Sequence, residues 1–357
     1  MNQTVKHLPS VENKEPRRPE GEMKTPIQSR DKPALTLTPT PLHPINVVGD
    51  NTFYIKRDDM TGLALGGNKA RKLEYYFADA AAGNYNHIVT YGTAQSNHCR
   101  AAAIAAAMWG LPCTLILAKS DSAPLYNGNY FLFNFFDAEI LWSEVQQVSI
   151  TIDRELDRLK DLGSKPYFIP GGGHGCWGTH AYLQAYRELE KQKKEPGIHF
   201  DYIFLASGTG STQSGLIIGN KLSKNTEEKI IGISIARTAE KGIPIIMESI
   251  SAYIKEKQLN ISMDETGISF IDDYIGKGYG DIYPEIMATI KQVAGKTGVM
   301  LDPVYTGKAF YGMLDYLKKR NIKNKSILFI HTGGIPLLFY HSEKFKDPVE
   351  IPGRDHD

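Results

Sequence analysis

Residues 54–73 read YIKRDDMTGLALGGNKARKL. A short apolar strand runs into the glycine-rich turn Gly66-Gly67-Asn68, which delivers Lys69 at the start of a helix. At the positive end of a helix, with Arg71 and Lys72 close by, an ammonium is disfavoured and the neutral, nucleophilic amine is favoured. The same residues would also make an ordinary basic helix face turned to solvent. What decides between the two is the rest of the chain.

Working outward, the same beat of short apolar strand and helix repeats. Strands are expected at 87–91, 113–118, 139–142, 167–169, 202–206, 230–235 and 326–331. Helices are expected at 69–82, 96–109, 126–136, 150–162, 177–194, 212–222, 243–257, 283–295 and 308–320, with a last one after Gly334. Such alternation implies parallel strands with crossover helices, an α/β fold. Residues 33–44, with TLTPTPLHP, read as extended and turn-rich, and 261–281 is the least periodic stretch.

With 357 residues, 41% of them hydrophobic, the chain can bury a large core in one or two domains. Forty-one basic against forty acidic residues leave a net charge of +1, which argues against nucleic acid or an anionic membrane as partner and for a small molecule. Cys99, Cys113 and Cys176 have no CxxC spacing and imply neither a disulfide scaffold nor a zinc site. Residues 1–32 read as a disordered tail without the apolar core of a signal peptide. The alanine-rich run 101–108 is too short to span a membrane, so the protein is expected to be soluble and cytoplasmic.

Ligands of open α/β sheets sit at the carboxyl ends of strands, and four loops there carry chemistry. The first holds Lys69. The second, Gly92-Thr93-Ala94-Gln95-Ser96-Asn97-His98, places Ser96 and Asn97 at a helix N-terminus whose free N–H groups suit a carboxylate, or where Ser96 is simply a cap. The third, Ser207-Gly208-Thr209-Gly210-Ser211-Thr212, combines glycines, hydroxyls and successive N–H groups into a phosphate cradle. It is neither a Walker loop, since no lysine follows until Lys221, nor a dinucleotide fingerprint, which would need glycine in place of Gln213. The fourth is His331-Thr332-Gly333-Gly334, and tyrosines stand nearby in Lys277-Gly278-Tyr279-Gly280 and Asp302-Pro303-Val304-Tyr305-Thr306-Gly307-Lys308. A lysine, a phosphate cradle, a carboxylate cradle and two tyrosines are what a pyridoxal phosphate enzyme requires.

From about Leu35 to about Phe339, the ordered motifs KRDD, GGNKARKLE, QSNH, LDPVYTGKA and HTGG resemble the D-cysteine desulfhydrase and 1-aminocyclopropane-1-carboxylate deaminase family, within the tryptophan synthase β-like, fold-type II pyridoxal phosphate enzymes. The resemblance implies two open, twisted, mostly parallel sheets with flanking helices: a large domain of residues 33–77 and 171–345, a small one of 78–170, and the site between them. It implies pyridoxal 5'-phosphate as cofactor, a small amino acid as substrate and a homodimer.

By the same resemblance Lys69 is the Schiff-base lysine, and Gln95, Ser96, Asn97 and His98 hold the substrate carboxylate, with Asn97 also near the cofactor's ring hydroxyl. Gly208, Thr209, Gly210, Ser211 and Thr212 take the phosphate, Tyr279 and Tyr305 are the active-site tyrosines, and Thr332 faces the pyridine nitrogen. Deaminases that open the cyclopropane ring carry Glu directly after the second tyrosine; here it is Thr306. A neutral hydroxyl near the pyridine nitrogen cannot hold it protonated, and β-elimination of a thiol needs less of an electron sink than ring opening. D-cysteine is therefore the expected substrate. His174, Cys176, Trp177 and His180 depart from the family and suggest a pocket edge that admits another β-substituted amino acid, such as cysteate.

Overall fold

A computed structural model of the chain describes residues 34–47, 49–120, 125–194, 196–223 and 227–345. The expected tail at 1–32 lies outside them. Among the described residues, ten strands form two sheets. The larger has β1 (Leu42–Ile45), β2 (Thr52–Lys56), β7 (Tyr202–Ser207), β8 (Lys229–Ser234), β9 (Ser269–Ile271) and β10 (Ser326–Ile330), in the order β1-β2-β10-β7-β8-β9. The smaller has β3 (His87–Thr93), β4 (Cys113–Ala118), β5 (Glu139–Ser143) and β6 (Pro166–Ile169), in the order β5-β4-β3-β6. Every pairing is parallel except β1 with β2.

The strands are apolar on both faces because helices cover both. Ile203 and Leu205 of β7, with Leu328 and Ile330 of β10, face the core made with α5 (Cys176–Lys194), α6 (Ser211–Ser223) and α7 (Ala239–Glu256). Phe204, Ile327 and Phe329, one residue out of phase, face the core made with α8 (Pro284–Thr297) and α9 (Thr306–Lys319). At roughly 1.5–3 kcal/mol for each fully buried large side chain, these central strands hold the sheet together. In the smaller sheet, Ile88 and Leu115 face α1 (Asn68–Ala82) and α2 (Asn97–Met108), and Val89 and Ile116 face α4 (Val148–Asp161). Helix α1 runs unbroken across residues 77 and 78, where the sequence suggested a domain boundary.

Four local expectations are corrected. The turn-rich start contains β1, an antiparallel edge strand in which Pro44 is tolerated because an edge N–H needs no partner. The helix expected at 126–136 is only α3 (Gly128–Phe133) followed by a 3-10 turn. Helix α7 starts four residues before Ile243 and carries Pro244 inside it. The aperiodic stretch supplies β9, three residues long.

The strand order places the site. β2, β10 and β7 are adjacent and parallel, so the loops before α1, after β10 and before α6 leave the same sheet edge side by side. β3 and β6 are likewise neighbours, which brings the loop before α2 next to the turn Gly171–Gly173.

Candidate active site

Asp58 lies just beyond β2, 1% exposed, and its carboxylate accepts hydrogen bonds from Arg71 of α1 (2.9 and 2.8 Å), Thr40 (2.8 Å) and Tyr182 (2.7 Å). Burial, the largest single effect, would raise this carboxyl, but Arg71 together with Lys56 and Tyr182 holds it below the usual carboxylate range. Glu188 of α5 takes the other side of Arg71 at 2.9 Å and also accepts from Lys56. The first turn of α1 is thus locked to two other elements two residues after Lys69. The preceding turn is locked by contact: a β-carbon at Gly66 (φ 57°) would stand 1.7 Å from the Asp59 carbonyl oxygen, and one at Gly333 (φ 91°) 2.6 Å from Gly67 Cα. Asn68 N–H closes the join by donating to the Thr332 carbonyl at 3.0 Å.

Lys69 opens from this turn, with its ammonium beside Gly172 and Thr209. Burial lowers its pKa to about 8. Lys72, one turn further on the same face, is 1% exposed and donates to the Ser211 hydroxyl at 2.7 Å. Burial, then the charge of Lys69, drives its amine well below the ordinary lysine value. Neither ammonium has a carboxylate within ion-pair distance among the described residues. Arg237, just past β8, donates to the Gly208 carbonyl, and Asn68 donates to the Thr212 hydroxyl at 3.2 Å. His174 is held neutral, with a pKa of about 4, by burial and by the charges of Lys72, Arg237 and Lys69; its Nδ1 has no partner among the described residues.

The loop from Gly208 to Thr212 therefore meets three cations and no acid. Because the Ser211 and Thr212 hydroxyls accept from Lys72 and Asn68, their own hydrogens remain free to donate to an anion. Buried cations without counter-ions are costly unless an anion joins them. A phosphate dianion at the N-terminus of α6 would supply the missing charge.

The facing wall belongs to the smaller sheet. Ser96 caps α2, its hydroxyl accepting Cys99 N–H at 3.1 Å, which leaves earlier N–H groups of the helix open. Asn97 Oδ1 accepts from Asn129 at 2.8 Å, which directs the free Asn97 NH₂ outward as a donor. Gln95 and His98, expected beside them, make contacts of their own within the chain. The Gln95 amide donates to Asn127 O and accepts Asn129 N–H, both at 2.9 Å, so it clamps the start of α3. His98 is 2% exposed and bonded to Thr90 at 2.9 Å; burial and the neighbouring lysines hold it neutral.

Tyr279 and Tyr305 close the cleft, hydroxyl to hydroxyl at 2.5 Å with their rings edge to face. Tyr279 is partly exposed as a residue, but its hydroxyl is enclosed, near Thr93 of the smaller sheet. Burial raises both phenols, and for Tyr305 the proximity of Tyr279 adds to it.

Thr306 does not reach the cleft as expected. It is fully buried and donates to Asp302 at 2.8 Å, while Asp302 accepts the N–H groups of Val304, Tyr305 and Thr306. Of the four unusual residues at 174–180, only His174 borders the lysines. Trp177 donates to Asp79 at 3.0 Å, His180 meets Tyr253 at 2.5 Å, and Cys176 packs against the core of the larger sheet. Lys72, Arg237 and Asn129 were not singled out for the site from sequence. Lys72 was findable, since position i+3 shares the face of Lys69; the other two join the site only through sheet order.

A lysine whose pKa is lowered to about 8, a loop of hydroxyls and N–H groups beside it that meets cations, and a capped helix N-terminus opposite suit a molecule that carries an aldehyde and a phosphate, and they stand on the two-sheet fold of the fold-type II class. The chain belongs to the pyridoxal-phosphate dependent enzymes, whose family model matches residues 34–333. It is 37% identical over 298 residues, 82% of this chain and 87% of the relative, to a Pyrococcus abyssi protein named provisionally as a 1-aminocyclopropane-1-carboxylate deaminase. A Pyrococcus furiosus protein with the same provisional name matches at the same identity and coverage. A crystal structure described as an ACC deaminase homologue superposes with a TM-score of 0.79 at 33% identity, covering 87% of this chain and 94% of its own. No helix among the described residues is long and apolar enough to cross a membrane, and no cluster of three metal-ligating side chains occurs among them.

Proposed function

We propose that the protein catalyses α,β-elimination on a small β-substituted amino acid, with D-cysteine and water going to pyruvate, hydrogen sulfide and ammonia. The observation that carries this reading is at position 306. Ring-opening deaminases have Glu after the second tyrosine, whereas here a threonine stands there with its hydroxyl spent on Asp302. The deep electron sink that ring opening calls for lacks its carboxylate, while a thiol with a pKa near 8.5 departs without strong assistance.

Lys69 would bind the cofactor covalently, Lys72, Ser211, Thr212 and the α6 N-terminus its phosphate, Asn97 its ring hydroxyl, and Thr332 would border the pyridine nitrogen. When bound, pyridoxal phosphate supplies a ring that withdraws electrons from the substrate Cα. The open N–H groups beside Ser96 hold the substrate carboxylate, and Ser96 keeps them exposed by capping further along. The Lys69 amine, with its pKa lowered to about 8 by burial, would accept the Cα proton near neutral pH. Tyr279 and Tyr305 share one proton-bearing contact and deliver a proton to the departing sulfur. A homodimer and a cytoplasmic location go with this reading, the first from the family resemblance and the second from three free cysteines of which Cys99 and Cys113 are buried.

A second reading is ring opening of 1-aminocyclopropane-1-carboxylate to 2-oxobutyrate, favoured by the names of the relatives from Pyrococcus. A panel of D-cysteine, L-cysteine, cysteate, D-serine and aminocyclopropane carboxylate, followed by oxo-acid release, separates them. Pyruvate with sulfide from D-cysteine, lost in Lys69→Ala, supports elimination; 2-oxobutyrate as the only product selects the second reading.

A further inference from the structure

Lys308 lies in the first turn of α9, fully buried, yet every hydrogen-bond partner of its ammonium among the described residues is a backbone carbonyl: Ile275 at 3.0 Å, and Ile235 and Gly278 at 3.5 Å. The nearest acids, Asp281 and Asp302, act on it only through space, and burial outweighs them. A buried ammonium is costly unless its donors are matched, so a lysine kept here without an ion pair demands an explanation in what its donors hold.

They hold the turn that carries Tyr279. Gly278 (φ 133°) and Gly280 (φ 78°) flank the tyrosine, and a β-carbon at either would meet nothing. The turn is therefore not fixed by packing at those two positions. Its own bonds are Gly278 N–H to Ile275 O and Asp281 N–H to Gly278 O, each 3.2 Å, with Lys277 N–H on the Asp281 carboxylate at 2.8 Å. Lys308 reaches both carbonyls of that turn from beneath and ties them to Ile235, at the end of β8. Tyr305, three residues before Lys308, grips the other end of the same tyrosine through its hydroxyl. One short segment thus holds Tyr279 at its backbone and at its phenol.

We propose that Lys308 is a positioning residue for the reaction, an internal cation that fixes the Tyr279 turn over the cleft by bridging the carbonyls of Ile235, Ile275 and Gly278. This rests on the reading of Tyr279 as a residue that meets the substrate. A misplacement of about 1 Å in such a group costs on the order of 100-fold in rate.

The test uses holoenzyme carrying Lys308→Met, Tyr279→Phe or both, assayed with the best substrate of the panel, together with hydrogen exchange across residues 275–281. Expected are a kcat about tenfold or more lower in Lys308→Met with cofactor absorbance unchanged, faster exchange confined to 275–281, and less than about a twofold further loss when Lys308→Met is added to Tyr279→Phe. Should Lys308→Met not fold, Lys308→Gln, whose amide has two N–H donors and no charge on a shorter side chain, enters the same cycle, with the same pattern expected. Unchanged exchange in 275–281, a kcat within about twofold of the parent, or losses that multiply in the double variant would overturn the proposal. If Tyr279→Phe alone leaves kcat intact, the role of Tyr279 fails, and the exchange data still report separately whether Lys308 anchors the turn.

Discussion

The Lys72 ammonium stands 2.7 Å from the Ser211 hydroxyl, 139 residues away in the chain, and is buried on the loop before α6 with no acid to balance it among the described residues. The apoprotein bears that cost and the holoenzyme is relieved of it, so binding and stability respond in opposite senses when the charge is removed.

Lys72→Met is accordingly expected to weaken pyridoxal phosphate binding by about 10- to 100-fold, the value of roughly 1.5–3 kcal/mol for a hydrogen bond to a charged group. The same change should leave the apoprotein as stable or more so, because an uncompensated buried cation disappears. Absorbance titration and apoprotein melting measure the two. A destabilised apoprotein with unaltered affinity would refute the assignment.

Capture of the cofactor by apoprotein should follow the neutral fraction of Lys69. Its pKa is about 8, lowered from 10.5 by burial, so the rate should rise about tenfold per pH unit below 8 and level off above it. In Lys72→Met the inflection should stay in place, since burial and not Lys72 is what lowers Lys69. Stopped-flow absorbance between pH 6 and 10 gives both curves, and a flat profile for the parent would contradict the geometry.

Tyr305→Phe removes one half of the paired hydroxyls while keeping the ring against Tyr279. Turnover should fall by about 100-fold or more, the usual worth of a positioned proton donor, with cofactor affinity within about twofold of the parent. Equal loss of cofactor and turnover would mean that the pair is structural.

Asp58→Asn leaves Arg71 and Lys56 with one acid, Glu188, in place of two. Breaking a buried pair in this way costs about 3–5 kcal/mol. The melting temperature of the apoprotein should drop sharply, and restored turnover at low temperature would show that the site chemistry itself survives.

The layout of the site was legible in the sequence because it is local. Glycine pairs, a capped helix start and buried strands are written in consecutive residues, so Lys69, the loop from Gly208 to Thr212 and the Ser96 cap could be named from their neighbours alone. Gln95 and His98 belong to the same loop, yet only tertiary contacts reveal that Gln95 clamps the start of α3 and that His98 is buried against Thr90 beside Lys69 and Lys72.

What tertiary structure alone decided is which of these separate loops touch. β10 inserts between β2 and β7, and this order sets Gly333 against Gly67, Lys72 against Ser211 and Arg237 against Gly208. The sequence determined that a lysine at a helix start and a glycine- and hydroxyl-rich loop would stand at strand ends. That the two share one cleft, with more positive than negative charge inside it, depends on strand order and burial, which no window of neighbouring residues encodes.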